Sequence, residues 1–158
     1  LVYLLNIPGT FFLVGTFLGI AFLGRSLQGS GAAFGSLSAS IFTVLIAIPA
    51  IALGLGTASM DLFDKGFIET AVTMDMITDG IFSGMPVFWA LGIALLGIGL
   101  VMEKGFLPIW ISWLFLVIGL VGIPGVLILG EAGFIIFIIS LVGTVASGVV
   151  LFMRRAQE

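Results

Sequence analysis

Polar residues are sparse along this chain and gather in a few clusters, and between them apolar residues run on without the period-2 alternation of a half-buried strand. Residues 37–58 and 106–129, for instance, hold no charged side chain. A helix needs about 20 mostly apolar residues to cross a bilayer, whereas a barrel strand is about 10 residues of alternating polarity. Five blocks meet the helical requirement: 1–23, 37–58, 84–102, 106–129 and 134–153. The pattern therefore predicts an all-α fold, a polytopic transmembrane helix bundle with about five spans, in a single domain over 1–158.

Punctuation sets the expected boundaries. Pro8 and Gly9 should kink the first span and Arg25 should close it. Pro49 lies inside the second, and Ser83 is the candidate N-cap of the third. Only Glu103, Lys104 and Gly105 separate the third span from the fourth, with Pro108 in the fourth's first turn, so these two form an antiparallel hairpin. Pro124 and Gly125 should bend the end of the fourth, and the Glu131 turn makes a second hairpin into the fifth. Residues 24–36, rich in Gly and Ser, read as a flexible loop; residues 59–82 read as an acidic connection able to form an interfacial helix. No internal repeat supports an inverted-repeat transporter. The chain opens at Leu1 without the basic start of a secretory signal, and a further span upstream is expected.

Composition identifies the solvent. Of 158 residues, 61% are hydrophobic and 8% charged, with a mean hydropathy of +1.39. A water-soluble domain carries roughly a quarter charged residues, so here lipid takes the place of water. There is no Cys and no His, which removes thiolate and imidazole metal sites, His-ligated haem and nucleophilic mechanisms that need either residue; no cofactor is expected. Five basic residues against eight acidic ones exclude nucleic acid as a partner. The expected partners are the lipid bilayer and other membrane subunits or the chain itself.

Charge also orients the bundle. With five spans Arg25, Lys104, Arg154 and Arg155 fall on one side and Lys65 alone on the other, which places the C-terminus and the 24–36 loop in the cytoplasm and segment 59–82 outside. Trp110 and Trp113 fit an aromatic belt at the inner surface; Trp89 fits either the outer belt or the bundle interior.

Small residues recur at helix-contact spacing: Gly15 and Gly19; Ala50 and Gly54; Ala52 and Gly56; Ser140, Thr144 and Gly148. They let helix backbones approach closely, within this chain in the simpler reading and against another chain in the sharper one. No ionisable residue stands mid-span, which disfavours proton-coupled pumps and cation carriers. Intramembrane catalysis lacks a base. The expected function is non-catalytic, an accessory or scaffold subunit or a self-associating bundle working by helix packing. A transporter or channel for a neutral or apolar solute is the alternative.

A third reading concerns cations. Asp61, Asp64, Asp75 and Asp79 are spaced by 3, 11 and 4 residues, which returns all four to one side of a continuous helix, beside the thioethers of Met74 and Met76. Such a face suits a weak outward-facing cation site, with soft sulfur for Cu(I) and carboxylates for harder ions. Gly66 argues against one unbroken helix, and a solvated acidic segment is the plainer reading.

The string FWALGIALLGIGLVMEKGFLPIWISWLFLVIGLVG, residues 88–122, resembles prokaryotic multi-pass membrane proteins of unknown function in which a span ends in a short charged turn followed by a Trp-bearing, glycine-rich helix. Gly105, Phe106, Leu107, Pro108, Trp110, Gly119 and Gly122 carry the likeness. It implies a bundle of about six spans in a prokaryotic cell membrane, and no activity.

Overall fold

In a computed structural model of the protein the backbone is described for residues 2–129 and 134–155, and the side chains for 7–128, 138–150 and Met153. The Glu131 turn and the side chains of Arg154 and Arg155 lie outside the described residues. Among the described residues every regular element is a helix: α1 (Val2–Arg25), α2 (Ala32–Leu45), α3 (Ala47–Asp64), α4 (Ile68–Met102), α5 (Ile109–Leu129) and α6 (Phe134–Arg155). Because α2 and α3 are nearly continuous, the six helices make five legs of a bundle.

The break between α2 and α3 follows from Pro49. Its ring clashes with the carbonyl four residues back, and that residue is Leu45, where α2 ends. Ile46 absorbs the change, and α3 restarts at Ala47, so that Pro49 sits in a first turn whose N–H groups need no helical acceptor. The other end of α3 is set by Gly66. At φ +84° it takes the left-handed conformation that glycine adopts without a Cβ penalty. Phe67 N–H donates to the Leu62 carbonyl at 2.9 Å and Gly66 N–H to that of Phe63 at 3.0 Å, the paired bonds of a Schellman stop.

Three boundaries differ from the sequence expectation. The second leg is helical over Ala32–Asp64, not 37–58, and α4 starts at Ile68, not near residue 84. Ser83 is no N-cap; it lies inside α4 and its hydroxyl donates back to the Gly80 carbonyl at 2.8 Å. Segment 59–82 is accordingly no separate interfacial helix but the ends of α3 and α4 with a tight turn between them. Pro108 immediately precedes α5, and its carbonyl accepts the N–H of Ile111 at 2.9 Å.

α4 is the most buried leg, touching α2, α3, α5 and α6, while α1 leans on α2. At the centre Phe17, Phe42 and Trp89 meet edge to face or tilted, with ring centroids 4.8–5.8 Å apart. Four legs, α1, α2–α3, α4 and α5, are long and apolar enough to cross a membrane, and α6 adds the apolar stretch Ile138–Val150. Phe11, Val44, Leu127 and Ile128 are each at least 70% exposed, a surface that only lipid or another membrane chain solvates.

Candidate functional site

The glycines fall into two groups once placed in space, and those selected from the sequence for helix packing all belong to the second. A Cβ on Gly97 would strike the Leu116 backbone, one on Gly119 the Ala94 backbone and one on Gly31 the Gly99 carbonyl; Gly24 and Gly35 stand equally close to each other. These are the contacts that hold α1 to α2, α2 to α4 and α4 to α5. Gly15, Gly19, Gly54, Gly56 and Gly148, chosen for their spacing, have nothing of the described chain within 4 Å of a Cβ position. The expectation that they pack helices within one chain is thus corrected for the described residues: none of the five makes a close contact there, and all but the half-buried Gly56 are exposed. Ala52 does face inward. Ser140 is also buried, accepting the indole N–H of Trp89 at 2.8 Å, and Thr144 donates to the Ser140 carbonyl. Trp89 therefore belongs to the interior rather than to a belt, whereas Trp110 and Trp113 are exposed near the Glu103 end.

On α1 the outward group forms a continuous strip. Phe11, Gly15, Leu18, Gly19 and Phe22 recur at steps of three and four residues and share one face, opposite the buried Phe17, Ile20, Ala21 and Gly24. Phe11 and Phe22 are 71% and 74% exposed, so the two glycines form the floor of a shallow groove with aromatic rims. A glycine in a helix interior costs about 1 kcal/mol relative to alanine, and among the described residues no close contact offsets that cost.

A second arrangement, absent from the sequence reading, lies at the opposite end from the acidic hairpin. The Glu103 carboxylate, at the end of α4, accepts backbone N–H groups from Gln28 at 3.2 Å, from Gly29 at 2.8 and 2.9 Å, and from Gly31 at 3.2 Å. Ser30 Oγ donates to the Met102 carbonyl at 2.7 Å. The N-cap position of α2 is Gly31, which has no side chain to cap the helix, so a carboxylate distant in sequence does so. The Gly29 N–H holds the Glu103 carboxyl below its usual range; desolvation opposes it, and the N–H groups of Gln28 and Gly31 add to the lowering. Segment 24–36 is thus not a flexible loop: α1 reaches Arg25, α2 starts at Ala32, and the residues between are latched. A Gly-rich run just before a helix, able to form an anion-binding nest, was the available signal.

The proposed cation ligands are not gathered. Ser59 Oγ donates to the Ala71 carbonyl at 3.0 Å, so Asp61 and Asp64 lie toward the turn of the hairpin and Asp75 and Asp79 away from it. Asp61 instead pairs with Lys65 at 2.6 Å. Met76 is exposed and Met74 half-buried. Among the described residues no three His, Cys, Asp or Glu side chains form a group able to hold a metal. The single face expected of these aspartates fails because the Gly66 stop divides it between two antiparallel helices.

One cavity of about 380 Å³ lies beside the α2–α3 break, lined by Ser40, Ile41, Val44, Leu45, Ile48 and Phe88. Its lone hydroxyl, on Ser40, donates to the Ser36 carbonyl at 3.0 Å, which leaves an apolar lining without a free polar group.

Fold and surface together define an integral membrane protein of the helical-bundle class. No protein-family model, curated protein or solved structure matches the chain.

Proposed function

We propose that this protein is a non-catalytic, multi-pass helix-packing module of a prokaryotic cell membrane, which associates with a second copy through the outer face of α1. The carrying observation is the outward placement of Gly15 and Gly19 between exposed Phe11, Leu18 and Phe22. In lipid, helices associate through van der Waals contact and close backbone approach, because apolar surface alone gives no drive; a small-xxx-small groove with large flanking side chains suits a like helix. The apolar cavity and the dispersed carboxylates add no polar path for a solute and no assembled acid–base pair.

The chain has no cysteine, so single substitutions report without background. Leu18→Cys on the outer face should cross-link to a second copy in native membranes, and Ile20→Cys on the inner face should not. Cross-links to a different subunit would make the protein an accessory chain rather than a self-associating one, and no cross-link from Leu18→Cys would overturn both. Orientation is tested the same way. With the Arg25–Lys104 end in the cytoplasm, Thr70→Cys should react with an impermeant reagent in intact cells and Lys104→Cys should not; the reverse pattern would invert the bundle.

A further inference from the structure

The legs differ in length, and the difference isolates one part of the molecule. At 1.5 Å per residue α1, α5 and α6, with 24, 21 and 22 residues, span about 32–36 Å, close to the roughly 30 Å hydrocarbon core. The α2–α3 leg and α4, with 33 and 35 residues, reach about 50–52 Å. The Glu103 latch sets the start of α2 beside the end of α4, and the short turn between Met102 and Ile109 does the same for α5, so the excess lies at the other end. Counting about 20 residues from the latch, the hydrocarbon boundary falls near Ala52 on α3 and Phe82 on α4. Beyond it stands a helical hairpin about 18 Å tall. The Ser59–Ala71 hydrogen bond and the Gly66 stop brace it from within.

By that count this hairpin stands clear of the hydrocarbon, yet it carries large apolar side chains on its surface. Phe63, Phe67, Ile68, Val72 and Met76 are 46–69% exposed. Ile68, Val72 and Met76 recur every four residues and form one stripe. Asp75 and Asp79 share that side of α4, Glu69 borders it, and Asp64 stands at the turn beside Phe63. Over 59–82 there are five carboxylates against one lysine, a net charge of −4, and that lysine, Lys65, is engaged by Asp61.

We propose that the α3–α4 hairpin is a docking surface for a cationic amphipathic helix of a partner protein, one that lays an apolar stripe on Ile68, Val72 and Met76 and flanks it with Lys or Arg. Charge selects this occupant. A second copy would bring a like-charged hairpin against the first, and an anionic lipid surface would be repelled in the same way. A helix with apolar anchors at i and i+4 and a basic rim matches both the spacing and the sign of this surface. The braced hairpin presents its stripe preformed, so binding needs little ordering of this chain. The inference is independent of the α1 reading, since the two surfaces lie on different legs and at different depths.

The test uses a fluorescent Leu/Lys amphipathic helical peptide, its Leu/Glu counterpart, and the full chain in phosphatidylcholine nanodiscs. The Leu/Lys peptide should bind protein-loaded discs at least tenfold tighter than empty discs, more weakly in high salt, and the Leu/Glu peptide should show no such preference. Two variants that leave the Ser59–Ala71 contact and Gly66 intact should each abolish the preference: D64N/E69Q/D75N/D79N, and I68S/V72S/M76S. Gly15→Leu should leave it unchanged, which separates this surface from α1. Equal binding to empty discs, binding that survives both variants, or spin labels at Phe63 and Val72 reporting immersion in lipid would each overturn the proposal.

Discussion

Glycines occur on both the inner and the outer surfaces of this bundle, at similar spacings, and they do opposite things. Gly97 and Gly119 stand where the backbones of α4 and α5 touch, and Gly31 stands against Gly99 where α2 meets α4. Gly15 and Gly19, an equally regular pair, face nothing among the described residues. Small side chains therefore report close approach only when the approaching surface is known. Within lipid the inward set supplies the chain's own cohesion, and the outward set on α1 is the surface proposed for a second copy.

The inward set gives the largest expected effect. Gly97→Leu or Gly119→Leu would drive a side chain into backbone rather than into the tip of a flexible residue, so the loss should exceed the ordinary overpacking range of about 1–3 kcal/mol. The variant should fail to give a cooperative melt in detergent. A wild-type melt would show that α4 and α5 are not in this register.

Next is the polar bond at the bundle's centre. Trp89→Phe keeps most of the aromatic packing with Phe17 and Phe42 but removes the donor to Ser140. Interhelical hydrogen bonds in membranes average about 0.6 kcal/mol and reach about 1.7, so a loss of that size is expected in a steric-trap unfolding measurement. Ser140→Ala should lose as much, and the double variant little more than either alone. Additive losses would mean that the two residues act separately.

The latch should give a local rather than a global effect. Glu103→Gln weakens the acceptor for Gln28, Gly29 and Gly31, so hydrogen exchange at those three amides should quicken while the centre of α4 stays protected. The sign with pH follows from the lowered folded-state pKa of Glu103. The latch is complete above the ordinary glutamate pKa of about 4.3 and is lost as pH falls through the lower folded value. Exchange at these amides, corrected for intrinsic rates, should therefore rise only as pH falls below the ordinary glutamate pKa. A rise between pH 6 and 8 would contradict the assignment.

The division between legible and illegible features has a physical basis. Uncharged apolar blocks such as 106–129 reveal the helical class because a lipid-exposed backbone leaves few other choices. Helix ends beyond the bilayer are harder to read, since Ser83 and Asp79 look like loop residues while the helix passes through them, satisfying its own backbone. The Glu103 latch joins residues 74 apart in sequence, at Gly29 and Glu103, and no periodicity encodes such a pair. Gly15 and Gly97 are alike as letters; only the position of α5 distinguishes a glycine that must accept a neighbouring backbone from one that faces outward.

Reconstitution of donor- and acceptor-labelled copies, with energy transfer followed as the lipid-to-protein ratio is raised, tests the central claim most directly. Wild type should show transfer that decays on dilution along a dimer isotherm. Gly15→Leu and Gly19→Leu should each weaken association at least tenfold, equivalent to about 1.4 kcal/mol, while shifting the unfolding free energy of the isolated chain by less than about 0.5 kcal/mol, as a surface change does. Unchanged transfer, or a fall in chain stability as large as the fall in association, would contradict the assignment of the outer face of α1 to a second copy.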